Sequence, residues 1–96
     1  MVNKAHTATM RRVAKRYGGV ISQDGEADIT AGDMLIEVET AATLADGIAK
    51  LMSQSCRRYI AVTNREALPE ALRQTAGTGI GVMNPQGEIV REANLD

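Results

Sequence analysis

Apolar residues recur along this chain in two rhythms. Met10, Val13, Ala14 and Tyr17 fall at helical spacing and predict an amphipathic helix over residues 5–17, stopped by Gly18 and Gly19. Residues 20–22 then read as a short strand, 23–25 as a turn and 27–30 as a second strand. Ala31 and Gly32 fit a tight hairpin turn. Residues 34–39 carry the strongest alternation. Met34, Ile36 and Val38 point one way, and Leu35, Glu37 and Glu39 the other. Thr43 and Asp46 have the spacing of a capping box, opening a helix to about residue 55 with Leu44, Ile48, Leu51, Met52 and Ser55 on one side. Residues 59–62 are almost wholly apolar, the pattern of a strand covered on both faces. Pro69 suits the first turn of a helix over 68–76, ended by Gly77. Residues 79–83 and 88–90, joined by a turn at 84–87, predict a closing hairpin, and 91–96 a loose tail.

The order is helix, three strands, helix, strand, helix, hairpin. It predicts a single α/β domain over residues 1–96 with a mixed β-sheet. An antiparallel meander leads through a right-handed crossover, residues 34–62, into a parallel strand, and helices flank the sheet.

Composition narrows this further. Phe and Trp are absent and only Tyr17 and Tyr59 are aromatic, so the core is aliphatic. A chain of 96 residues buries a modest core, which makes a homodimer one route to stability. No run of 18 apolar residues is present, so no membrane partner is expected. The opening MVNKAHTATMRR lacks the apolar stretch of a secretion signal, and Cys56 is the lone cysteine. Both point to a reducing, cytoplasmic setting.

Net charge is −1, but its distribution is uneven. Residues 1–23 hold five bases and no acid, and residues 24–49 hold seven acids and no base. Such a division suits a phosphate-bearing substrate together with a divalent cation, or two neighbouring elements that neutralise each other. Glu37 and Glu39 share one strand face. A turn at Ala31 and Gly32 sets position 28 opposite about position 35, so Asp28 lies diagonally from Glu37. Three carboxylates so close repel one another unless a cation lies between them. Mg²⁺, with its preference for hard oxygen ligands, is the natural one, and Mn²⁺ the alternative. The competing reading is a solvated acidic strand face that binds nothing.

Asp28, eight intervening residues and then Glu37-Val38-Glu39 in a hairpin resemble the core of the PD-(D/E)xK nuclease superfamily. The flanking element order, over about residues 5 to 90, is similar to its restriction-endonuclease-like and archaeal Holliday-junction-resolvase-like members. The closing GIGVMNPQGEIV is similar to their late hairpin. The resemblance implies a restriction-endonuclease-like fold and a Mg²⁺- or Mn²⁺-dependent DNA endonuclease, with structure-selective cleavage among the options it leaves open. It implies metal binding by Asp28, Glu37 and the carbonyl of Val38. Glu39 stands where the family usually has Lys, as base or further ligand. The family's acidic residue in the first helix and its motif proline are missing. These departures keep open a catalytically inactive module on the same scaffold, binding nucleic acid or protein.

Lys50 and Gln54, on the helix after the acidic strand, are candidates for the missing polar group of the catalytic site, although Lys50 also has the spacing to pair with Asp46. Arg11, Arg12, Lys15 and Arg16 line the polar face of the first helix and are candidates for phosphate contacts with DNA. No aromatic residues interleave with them, which argues against stacking on single strands. His6 reads as a surface residue and Cys56 as a small, partly buried hydrophobe. Thr78 in Gly-Thr-Gly lacks the strand-then-helix context of a nucleotide loop.

Overall fold

A computed structural model describes residues 4–22 and 27–94. The turn expected at 23–25 lies outside the described residues. Helix α1 covers Lys4–Tyr17 and is followed by β1 (Val20–Ile21), β2 (Ile29–Ala31) and β3 (Met34–Glu39). A 3₁₀ turn (Ala41–Thr43) leads into α2 (Leu44–Met52), then β4 (Arg57–Val62). A second 3₁₀ turn (Arg65–Ala67) precedes α3 (Leu68–Gln74), and β5 (Gly81–Met83) and β6 (Ile89–Arg91) close the chain. The six strands form one mixed sheet in chain order. Strands β1, β2 and β3 pair antiparallel, β4 pairs parallel with both β3 and β5, and β6 returns antiparallel. No described helix is long and apolar enough to cross a membrane.

Alternation along the strands explains the two layers. Ile29, Ala31, Met34, Ile36, Val38, Tyr59, Ala61 and Met83 face α1, where Val13 and Ala14 complete one buried cluster. Ile60, Val62, Ile80 and Val82 face the other way, against Leu44 and Leu51 of α2 and Ala71 of α3. Residues 59–62 are all buried, as a strand sandwiched between helices requires. Helix α1 is also tied to the turn between β5 and β6. Arg12 donates to the Pro85 carbonyl at 2.7 Å, and the Tyr17 hydroxyl to that of Gly87.

Several boundaries move for physical reasons. The first hairpin turns at Gly32 and Asp33, since Ala31 pairs with Met34. Gly32 has φ +58 and Asp33 a negative φ, the sign pattern of a type II′ turn, which places glycine first. This shifts the register without changing which face each residue uses. Helix α2 ends at Met52, which is exposed, and Ser55 lies beyond it. The Arg58 guanidinium holds that end, donating to the carbonyls of Leu51 and Gln54 at 3.1 and 3.0 Å and to Thr78 O at 3.0 Å. The capping exchange sits one turn earlier than expected, with Thr40 N donating to Thr43 Oγ1 at 2.9 Å. Helix α3 ends at Gln74, β5 begins at Gly81, and the last strand runs one residue further than read from the sequence. The tail is anchored as far as described. Arg91 donates to Leu72 O and to Thr75 Oγ1, and Asn94 N to Gly79 O at 2.8 Å.

Candidate metal centre

The register of the first hairpin brings the acidic residues together. Ile29 pairs with Ile36, so the next position outward sets Asp28 directly opposite Glu37 rather than diagonally from it. Two hydrogen bonds lock the arrangement. Asp28 N donates to Glu37 Oε2 at 3.1 Å, and Val38 N donates to Asp28 Oδ2 at 2.8 Å. Glu39 follows on the same face. Each of Asp28, Glu37 and Glu39 offers a carboxylate oxygen, and these atoms lie within 4.8 Å of one another. The cluster can hold a metal ion.

The carboxylates are not a solvated face. Glu37 is 1 % exposed and Glu39 8 %, with only Asp28 partly open to solvent. Helix α2 covers them, and Gly47 makes this possible. A Cβ at that position would sit 2.6 Å from Glu39 Cγ and Oε2. Burial is the largest reason why the Glu37 carboxyl is pushed up from 4.5 to about 8. The charges of Asp28 and Glu39 add to the rise, and Lys50 opposes it. Burial also raises Glu39, while Thr43 and Glu37 beside it favour its charged form. Burial beside Asp28 and Glu39 thus favours the protonated form of Glu37.

One atom is left out of this arrangement. Glu37 Oε1 is buried and accepts no hydrogen bond, and its nearest cation, Lys50 Nζ, stands 3.8 Å away. A buried carboxylate oxygen without a partner costs on the order of 1–3 kcal/mol, so the orphan marks a place for a positive ligand. Oxygens about 2.1 Å from an octahedral Mg²⁺ lie roughly 3–4 Å from each other, a separation comparable with the 4.8 Å within which these atoms gather.

The other candidates divide. Lys50 projects from α2 to Glu37, not to Asp46, so the helical pair favoured by its spacing gives way to a contact across the layer. Gln54 lies past the end of α2; its backbone carbonyl is bound by Arg58, and among the described residues no hydrogen bond or ion pair joins it to the carboxylates. The side chain of Val38 is in the α1 core, while its amide steadies Asp28. Asp33 belongs to the turn, 3.7 Å from Arg57.

Arg11, Arg12, Lys15 and Arg16 are exposed on α1, which packs on the face opposite Glu37 and Glu39. The basic helix therefore flanks the sheet instead of roofing the carboxylates. Arg12 and Arg16 also spend donors on the carbonyls of Pro85 and Gln86. Two residues escape a reading by residue type. His6, taken as surface, lies 3.5 Å from Asp28 Oδ2. Gly47 carries a signal, since a glycine inside a helical pattern often marks a close approach. No family model, curated protein or solved structure matches the chain, and the chemistry of the site therefore rests on its own geometry.

Proposed function

We propose that this protein is a Mg²⁺- or Mn²⁺-dependent DNA endonuclease of the PD-(D/E)xK type, with Asp28 and Glu37 holding the metal and Glu39 beside them as general base. The observation that carries the reading is the orphaned Glu37 Oε1, buried in a cluster of three carboxylates on a hairpin strand and its partner. The element order supports it too. A basic helix, an antiparallel meander and a crossover to a parallel strand surround the acidic strand as the resemblance implies.

A divalent ion supplies Lewis-acid polarisation of a phosphodiester and a more acidic bound water. The remaining roles fall to the chain. Asp28 and Glu37 bind the ion from two paired strands, and the Val38 amide keeps Asp28 aimed. A bound cation would favour the ionised forms of both Glu37 and Glu39. Glu39 then accepts a proton from the attacking water at its carboxylate, in place of the usual lysine. Lys50, about half exposed, supplies positive charge beside Glu37 and towards solvent, where a phosphate arrives. The α1 bases contact the backbone of the duplex away from the cleavage point.

Supercoiled plasmid and four-way-junction DNA, incubated with the protein and Mg²⁺ or Mn²⁺, are expected to be nicked. Glu37→Ala is expected to abolish nicking while leaving salt-sensitive DNA binding in place. DNA binding without cleavage by the unaltered protein, over a range of both metals, would instead establish a non-catalytic module.

A further inference from the structure

We propose that His6 is a positioning residue of the metal site, holding Asp28 from the first turn of α1. This deepens the preceding reading and rests on the carboxylate cluster binding a divalent ion.

Helix periodicity places the residue. His6, Met10, Val13 and Tyr17 follow one another at four-, three- and four-residue steps, so His6 belongs to the stripe that α1 turns towards the sheet. Val13 is fully buried in that stripe, and Met10 and Tyr17 pack beside it. At the N-terminal end, the stripe runs past the apolar core and reaches the mouth of the hairpin. There Nε2 of His6 lies 3.5 Å from Asp28 Oδ2, with the two side chains 30 % and 26 % exposed.

A hydrogen-bond donor and the His6 imidazole thus converge on one oxygen of Asp28. Val38 N approaches Oδ2 from β3 and His6 Nε2 from α1. Among the described residues, no hydrogen bond or ion pair uses Oδ1, which leaves that oxygen for an ion. His6 is not one of the three residues whose donor atoms gather within 4.8 Å, so it acts through Asp28 and is not itself a ligand. Carboxylate ligands are commonly oriented by such outer contacts, and losing one weakens metal binding roughly 10–100-fold. The arrangement also separates two jobs along α1. The basic residues from Arg11 to Arg16 occupy its later turns, about 7–15 Å along the axis from His6 at 1.5 Å per residue.

The test is Mn²⁺ titration by calorimetry on the whole chain, with thermal unfolding in chelator alongside. The unaltered protein binds Mn²⁺. His6→Ala is expected to weaken binding roughly 10–100-fold with its chelator-state midpoint within a few degrees of the parent. His6→Gln, which restores a polar group of similar reach beside Asp28, is expected to recover most of the loss. Equal Mn²⁺ affinity in His6→Ala, or a lowered midpoint with unchanged affinity in either variant, overturns the role of His6 and leaves the metal site standing. Absence of Mn²⁺ binding by the unaltered protein overturns both.

Discussion

Replacing Glu37 by Gln should stabilise the metal-free protein, and increasingly so as pH rises. In the unfolded chain Glu37 ionises near 4.5, whereas in the folded protein it keeps its proton up to about 8. Between these values the folded state binds more protons, so each step up in pH favours unfolding. The stability associated with a protonated, buried Glu37 is complete below about 4.5 and lost as pH passes through about 8. At 1.36 kcal/mol per pKa unit the full swing is about 4–5 kcal/mol. Water entering between β3 and α2 on ionisation lowers that figure, and about 2 kcal/mol is a reasonable floor. Glutamine has the same shape and no proton to lose. Urea unfolding in chelator should therefore give nearly equal stabilities at pH 5, and Glu37→Gln ahead by at least about 2 kcal/mol at pH 8.5. Glu39 is also raised, but it remains in both proteins, so the difference between them reports chiefly on position 37. Adding Mn²⁺ at about a hundred times its dissociation constant should return about 2.7 kcal/mol to the parent and little to the variant. A difference that stays flat from pH 5 to 8.5 would show that the Glu37 carboxyl is solvated, and would remove the basis for placing an ion beside it.

Two further substitutions test the layer above the carboxylates. Gly47→Ala gains about 1 kcal/mol of helix propensity but drives a Cβ to 2.6 Å from the Glu39 carboxylate, which costs about 1–3 kcal/mol. Urea unfolding should show no gain or a loss, with weaker Mn²⁺ binding; a clear gain at unchanged affinity would mean that α2 does not press on Glu39. Lys50→Met removes the charge that eases Glu37 ionisation, so a carbon-detected titration of the Glu37 carboxyl should move to higher pH. An unmoved titration would place the ammonium in solvent, away from Glu37.

The outline of the fold is legible in the sequence because short-range patterns determine it. The period-2 alternation of residues 34–39 and the apolar run at 59–62 specify a strand with one apolar and one acidic face and a strand apolar on both, and the crossover follows from the helix between them. The three carboxylates are legible for the same reason, since alternation alone puts Glu37 and Glu39 on one face. What their spacing cannot reveal is whether that face is wet. Exposure depends on how closely α2 settles, which turns on the missing side chain at Gly47 and on the capping of the helix end by Arg58, a residue of the following strand. The partner of Lys50 was hidden by the same fact. A pairing four residues back along the helix is available in any solvated helix, but a helix seated on the sheet brings its lysine to Glu37 instead.

His6 illustrates the opposite error, in which a legible pattern was cut short. The apolar stripe of α1 is easy to see from Met10 onward, and extending it one more turn towards the N-terminus lands on the histidine. Residue type suggested a surface position, while periodicity placed it against the sheet. The distinction matters because the long basic segment of α1 lies on the far side of the sheet from the buried glutamates. Charge segregation in the sequence had paired the basic and acidic regions as wholes, yet among the described residues His6 and Asp28 are where their charged groups meet. The helix meets the site through His6 and Asp28, while Arg12 and Arg16 turn to the hairpin at Pro85 and Gln86. A nucleic acid spanning both would have to cross the sheet edge between them, which makes the first turn of α1, and not its basic centre, the part of the helix placed to influence chemistry.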